Sequence, residues 1–154
     1  NDVVYEGLNL IIPLCERKPT AGPTPTPTPA PPYPAPNLLL PSSGAAFSAQ
    51  QDAITLQWAA VADLRENELY RVTVEDLTAG NGRILVEYVR ETRFILPTSF
   101  RPADTTPHII QWSVAVARRI NSGASNPIYE EAGYTSEKRV FSWIGTGAAT
   151  TPNP

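Results

Sequence analysis

The chain has 154 residues, a formal net charge of −3, one cysteine and one histidine. Its length corresponds to one domain. The charge balance excludes a basic surface for nucleic acid. A single cysteine excludes an internal disulfide and leaves too few ligands for a Cys/His zinc site. No run of 18 apolar residues occurs, so we expect no membrane span, and the composition predicts no cofactor and no metal.

Composition divides the chain into four zones. Residues 1–18 are an apolar segment with a charged end, in which we expect a strand, and residues 19–36 hold nine of the seventeen prolines. Residues 37–145 have the mixed composition of a folded domain, and residues 146–154 resemble a flexible tail. Methionine is absent, which predicts that a leader was removed or that the sequence is trimmed from a longer one.

The proline-rich zone cannot form a helix or a central strand, because each proline removes a backbone donor and fixes φ near −65°. We expect an extended polyproline II linker of roughly 55 Å, at about 3.1 Å per residue, that acts as a spacer. A PxxP ligand for an SH3-like groove is the alternative. Stalks rich in Thr and Pro often carry O-linked glycans, and the candidate positions are Thr20, Thr24, Thr26 and Thr28.

The third zone alternates apolar and polar residues with the period of two that predicts half-buried strands. The alternating segments are Ile54–Trp58, Tyr70–Val74, Ile84–Tyr88, Ile110–Val116 and Phe141–Trp143. The Asn-Gly step at Asn81 favours a hairpin between the second and third of them. Trp58, Trp112 and Trp143 fall on the inward phase of their strands, so we predict that they belong to the core.

These segments, in this order, resemble the strands of fibronectin type III domains. Ile54-Thr-Leu-Gln-Trp58 is similar to the second strand, Tyr70-Arg-Val-Thr-Val74 to the third, Phe94-Ile-Leu-Pro97 to the fifth, Ile110-Gln-Trp-Ser-Val-Ala-Val116 to the sixth and Phe141-Ser-Trp143 to the last. The resemblance covers about residues 38–145. It implies an all-β fold, a seven-stranded antiparallel immunoglobulin or fibronectin III-like sandwich.

The sequence departs from that family at one position. Where the family often carries the tyrosine of the tyrosine corner, this chain has His108 or Ile110. We therefore expect another group to stabilise that bend.

The first zone carries a second resemblance. Gly7-Leu-Asn-Leu-Ile-Ile-Pro13 is similar to the last strand of lysin-motif (LysM) glycan-binding domains. A whole module is several times longer and includes helices that this segment lacks. Glycan recognition through that fold would therefore require lysin motifs upstream of this sequence.

Taken alone, the first zone is an apolar strand without a local partner. Three outcomes stay open: return to an edge of its own sandwich, disorder or a trimmed upstream domain, and addition to a neighbouring copy. A spacer of tens of ångströms favours the last. Head-to-tail addition would give a ring or a filament. The contact residues would be Val3, Val4, Leu8, Leu10, Ile12 and Leu14.

The sequence offers little for catalysis. No partner can be assigned to His108 as a general base, so we interpret it as a surface or strand-end histidine. Cys15 precedes a cationic run and is either incidental or an intermolecular crosslink. Two acidic clusters could offer oxygen ligands to calcium, but they lack the spacing of a calcium loop and are interpreted as solvated loop charges; they are Asp63, Glu66 and Glu68, and Glu130 and Glu131.

Aromatic residues outside the core could contact a sugar. Tyr129 and Tyr134, in the segment 121–137, are better candidates than the tryptophans for an exposed contact. Tyr33 lies in the proline-rich linker, and we expect it to pack on whatever surface the linker crosses.

Together these observations predict a secreted, cell-surface or extracellular structural protein that is not an enzyme. The predicted role is a self-assembling subunit of a fibre or filament, a homo-oligomer or polymer joined by its N-terminal strand. The alternative is a stalked accessory module that binds cell-wall glycan or another polysaccharide. Neither role involves nucleic acid.

Overall fold

Alternating burial shapes the longest strands. In Glu68–Asp76 every second side chain is buried, so the strand presents one face to the core and the other to the surface. The computed structural model describes residues 32–147 together with Gly7 and Gly22. Its strands are β1 (Leu38–Leu40), β2 (Ala45–Phe47), β3 (Thr55–Trp58), β4 (Glu68–Asp76), β5 (Ile84–Val89), β6 (Arg93–Ile95), β7 (Pro107–Arg119), β8 (Tyr129–Glu131) and β9 (Arg139–Ile144), with one 3-10 turn at Thr98–Phe100. The expected all-β class is confirmed.

Two sheets form the domain. The smaller sheet has the order β1-β3-β6, and the larger has the order β2-β9-β7-β4-β5, with β8 paired to the far end of β7. The thirteen-residue β7 is the centre of the larger sheet, because it pairs with β4 on one side and with β9 and β8 on the other. The predicted hairpin at Asn81 is confirmed, since β4 and β5 pair antiparallel across it.

The strand count and the pairing differ from the sequence prediction. The described residues form nine strands where seven were expected. Pro41 cannot donate to a ladder, and the chain changes sheets there: β1 pairs antiparallel with β3, and β2 pairs with β9. The β2–β9 pair is parallel, so the larger sheet is mixed where a purely antiparallel one was expected.

The core lies between the two sheets. It combines Leu56 and Trp58 of the smaller sheet with buried side chains of β4, β7 and β9. Trp58, Trp112 and Trp143 are all buried, as predicted from their strand phase. Trp58 meets Tyr70 edge to face, with ring centroids 5.5 Å apart, across the sheet interface.

Two remaining expectations concern the ends of the chain and the bilayer. Residues 1–18 apart from Gly7, most of 19–36 and the end of the 146–154 tail lie outside the described residues. Pro36 and Tyr33, at the end of the proline-rich zone, belong to the packed domain. Among the described residues, no helix has the length and apolar character needed to cross a bilayer.

The core position of Leu56 can be tested by truncation. Its side chain is fully buried, so Leu56→Ala should lower the free energy of unfolding by about 2–5 kcal/mol. The exposed Val86→Ala should change it by no more than about 0.5 kcal/mol. Urea unfolding followed by tryptophan fluorescence measures both. Equal effects of the two substitutions would contradict the proposed sheet interface.

Candidate functional site

The residues predicted to join subunits and to carry glycans lie outside the described part of the chain. The first set is Val3, Val4, Leu8, Leu10, Ile12 and Leu14, and the second is Thr20, Thr24, Thr26 and Thr28. Cys15 lies there too. What the structure does describe is the place where the proline-rich zone joins the domain, and the strand edges that a docking segment could meet.

Tyr33 fastens the end of the proline-rich zone to the larger sheet. Its backbone N–H donates to the carbonyl of Ala132, and its carbonyl accepts from the N–H of Tyr134. Its hydroxyl donates to Oε2 of Glu68 at 2.6 Å. The expectation that Tyr33 packs on the domain surface is confirmed, and this contact fixes where the linker enters the domain.

Glu68 is a fully buried carboxylate, so its interpretation as a solvated loop charge is wrong. Besides the Tyr33 hydroxyl, it accepts from the backbone N–H of Arg65 at 3.0 Å and from Nε and Nη2 of Arg118 at 3.2 and 3.0 Å. Burial alone would raise the pKa of Glu68, but the hydrogen bonds from Tyr33, Arg65 and Arg118 outweigh it and hold the pKa below its ordinary value. The site is therefore a compensated buried charge.

Gly133 makes room for the Tyr33 contact. A Cβ atom at this position would lie 2.9 Å from the Cβ of Tyr33 and 3.2 Å from its carbonyl oxygen. The third neighbour, Val116 of β7, is 3.3 Å away. Because backbone and core side chains surround the position, only glycine allows the linker to approach so closely.

A second polar cluster lies at the other end of β4. Nδ1 of His108 is 2.7 Å from Oδ2 of Asp76, and its Nε2 is 3.2 Å from the carboxylate of Asp104. Burial lowers the pKa of His108, but the hydrogen bonds to Asp76 and Asp104 outweigh it, so the pKa is raised above its ordinary value. His108 is buried and not a surface residue. Because β7 begins at Pro107, His108 lies at the start of that strand.

His108 and Asp104 line an open pocket of about 550 Å³ together with Arg83 and Arg101. Both nitrogens of His108 face carboxylate oxygens, so neither offers a free lone pair to a substrate proton. The guanidinium of Arg83 donates to the carbonyls of Ser99 and Arg101. Within the described residues, no group of three His, Cys, Asp or Glu side chains is arranged to hold a metal ion. The arrangement ties segments together and offers no evident reaction chemistry.

The larger sheet ends in an open edge at β5. Within the described residues, β5 pairs with β4 alone. Its outward side chains Ile84 and Val86 are 55% and 43% exposed, and Leu77 at the end of β4 is also exposed. A long edge strand with exposed apolar side chains is a template for pairing with another strand.

The two tyrosines predicted as exposed sugar contacts differ in how much of the ring is free. Tyr129 lies in β8 and stacks on Tyr88 with ring centroids 3.7 Å apart, so its ring faces are partly covered. Tyr134 is 51% exposed. It lies next to Gly133, beside the point where the linker enters the domain. Only Tyr134 therefore keeps the exposure that a sugar contact would need.

Comparison with protein-family models gives no match for this chain, and comparison with curated proteins gives none either.

Removing the hydroxyl of Tyr33 should loosen the linker from the domain. Tyr33→Phe leaves a buried carboxylate with one donor fewer, which should cost about 1–3 kcal/mol of unfolding free energy. Tyr134→Phe is the matched control, because Tyr134 is exposed, and it should be close to neutral. Chemical denaturation measures both variants. If Tyr33→Phe has the same free energy of unfolding as the wild type, the hydrogen bond from Tyr33 to Glu68 does not stabilise the domain.

The lowered pKa of Glu68 predicts an acid-sensitive domain. Its stabilising effect is fully present above the ordinary glutamate pKa of 4.5 and is lost as the pH falls through the lower, folded-state value. Denaturation of the wild type between pH 7 and 3 should show this loss, and Glu68→Gln should show a shallower dependence. The exposed Glu66→Gln serves as the control and should follow the wild type. Parallel profiles for all three would refute the assignment.

Proposed function

We propose that the protein is a non-enzymatic extracellular structural protein, a self-assembling subunit of a surface fibre or filament. The observation that supports this most is the open β5 edge. It is six residues long, and the predicted donor segment 8–14 is an uncharged run of similar length. Addition of that segment to β5 of a neighbouring copy would satisfy backbone groups on both strands.

The linker supports addition between copies. Nineteen residue steps separate Leu14 from Tyr33, where the chain is fastened to the domain. At about 3.1 Å per residue, a polyproline II segment of that length spans roughly 59 Å, which exceeds the size of a domain this small. Such a contact is head-to-tail, so its repetition gives a ring or an open filament.

The β5 edge carries a charged residue that can make strand pairing selective. Glu87 of β5 pairs with the buried Val72, so it occupies the inward phase of the strand, yet it is exposed. A charge at such a position discourages unselective strand pairing. We propose that it favours a tethered donor over chance contacts.

The proposal also includes a fold family for the domain and O-glycosylation of the linker. We assign the domain to the immunoglobulin or fibronectin III-like sandwiches, which the order of the alternating segments and the two-sheet core support. O-glycosylation of Thr20, Thr24, Thr26 and Thr28 would stiffen the linker outside the cell.

The second candidate is a stalked module that binds cell-wall glycan or another polysaccharide. The exposed ring of Tyr134, next to the linker entry, is the observation that favours it. The likeness of residues 7–13 to a lysin-motif strand points the same way. A monomer that is retained on peptidoglycan or chitin, and released by Tyr134→Ala, would support this candidate.

Assembly can be tested with three variants of the full chain. Negative-stain electron microscopy and mass photometry should show regular polymers for the wild type. Polymers should disappear when residues 1–14 are deleted and when Val86→Lys places a charge on the acceptor edge. Ile128→Lys, at an exposed site outside the strands, should assemble like the wild type. A monomer near 16.7 kDa at micromolar concentration would refute the polymer.

A further inference from the structure

The His108 side chain lies between two carboxylates that belong to different segments. Nδ1 faces Asp76 at the end of β4, and Nε2 faces Asp104 in the loop before β7. Ionised carboxylates only accept hydrogen bonds, so both contacts are satisfied together only when both ring nitrogens carry a proton. The protonated imidazolium therefore makes both hydrogen bonds, whereas the neutral ring can make only one of them.

The two carboxylates are held with unequal strength. Asp76 has a side chain that is 0% exposed, and its Oδ1 accepts from the backbone N–H groups of Thr78 and Ala79 at 3.0 and 3.1 Å. Arg83 lies 4.0 Å from its Oδ2. Asp104 is 58% exposed and otherwise accepts only from Thr106 in its own loop. When His108 is neutral, Asp104 is therefore the partner that is lost.

The loop that carries Asp104 covers the point where the chain leaves β9. A Cβ atom at Gly145 would overlap the carbonyl oxygens of Pro102 and Asp104, so the loop backbone rests directly on Gly145. Two residues later, the methyl group of Thr105 would lie 3.1 Å from a Cβ at Gly147. Displacement of Asp104 would uncover this exit.

We propose that the His108–Asp104 contact is a pH-sensitive device that holds the loop 101–106 over the chain leaving β9 when His108 is protonated, and releases it when His108 loses a proton. The charged groups around the imidazole are Asp76 of β4, Asp104 of the loop and Arg83, which directly precedes β5; Arg101 lines the same pocket as His108. The two carboxylates favour the protonated ring. This inference does not depend on polymer formation.

The direction of the response follows from the raised pKa of His108. The loop contact is fully present below the ordinary histidine pKa of 6.5 and is lost as the pH rises through the higher, folded-state value. The device is therefore closed at mildly acidic pH and opens as the pH rises through the folded-state pKa of His108.

Hydrogen exchange of the full chain between pH 6 and 9 tests the proposal, with exchange times scaled for the intrinsic pH dependence. Protection of the Thr106 amide and of residues 145–147 should fall about tenfold with rising pH, the factor of one charge-assisted hydrogen bond. The amide of Val114, in the middle of β7, should stay protected.

Two variants distinguish loss of the His108–Asp104 contact from a general pH effect on the stability of the domain. Asp104→Ala leaves the buried His108–Asp76 pair in place and gives Nε2 neither a donor nor an acceptor, so it should expose the loop at every pH, with no pH-dependent fall in protection. Glu137 is a remote, exposed acid paired with Arg139. Glu137→Gln should therefore show the same fall in protection with rising pH as the wild type. Constant protection in the wild type, or a fall in protection with rising pH that persists in Asp104→Ala, would overturn the proposal.

Discussion

The register of β4 on β7 is fixed at both ends by a buried acid and a basic partner, and the rest of the domain is arranged around this pair. Glu68 lies directly opposite Arg118, and Asp76 at the other end bonds to His108. A shift by two residues would keep both acids on the buried face but separate them from both partners. Since a buried carboxylate without a partner is far costlier than a misplaced apolar group, the acids exclude alternative registers more strongly than the apolar residues between them.

Each acid also recruits a segment from outside the sheet. Glu68 binds the hydroxyl of Tyr33, so the proline-rich zone enters the domain where β4 begins. At the other end, His108 lies between Asp76 and Asp104, so the loop before β7 is held where β4 finishes. The compensation of two charges on one strand thus determines both the linker entry and the loop that covers the exit of β9.

The sequence predicts this fold unevenly, for physical reasons. Long strands with strict alternation and their tryptophans are predictable, because burial of one face imposes a period of two. The strands β1, β2, β6 and β8 have three residues each, too few to show a period, and of these only β6 was predicted. The central residues of β4 and β7 were therefore predicted as strands, and the parallel β2–β9 pair was not.

The candidate site was missed for a related reason. Glu68 and Asp76 are in phase with Tyr70, Val72 and Val74, so the alternation itself signals two inward-facing acids. That signal was available. The partners were not predictable, because Tyr33, Arg118 and His108 become neighbours only through the topology. The same topology bears on assembly: Tyr33 lies on the β8 side of β7, whereas β5 is the opposite edge of the same sheet. The linker would therefore leave at one edge of the sheet while the proposed acceptor lies at the other, so each strand addition would be a heterologous contact whose repetition gives a ring or an open filament.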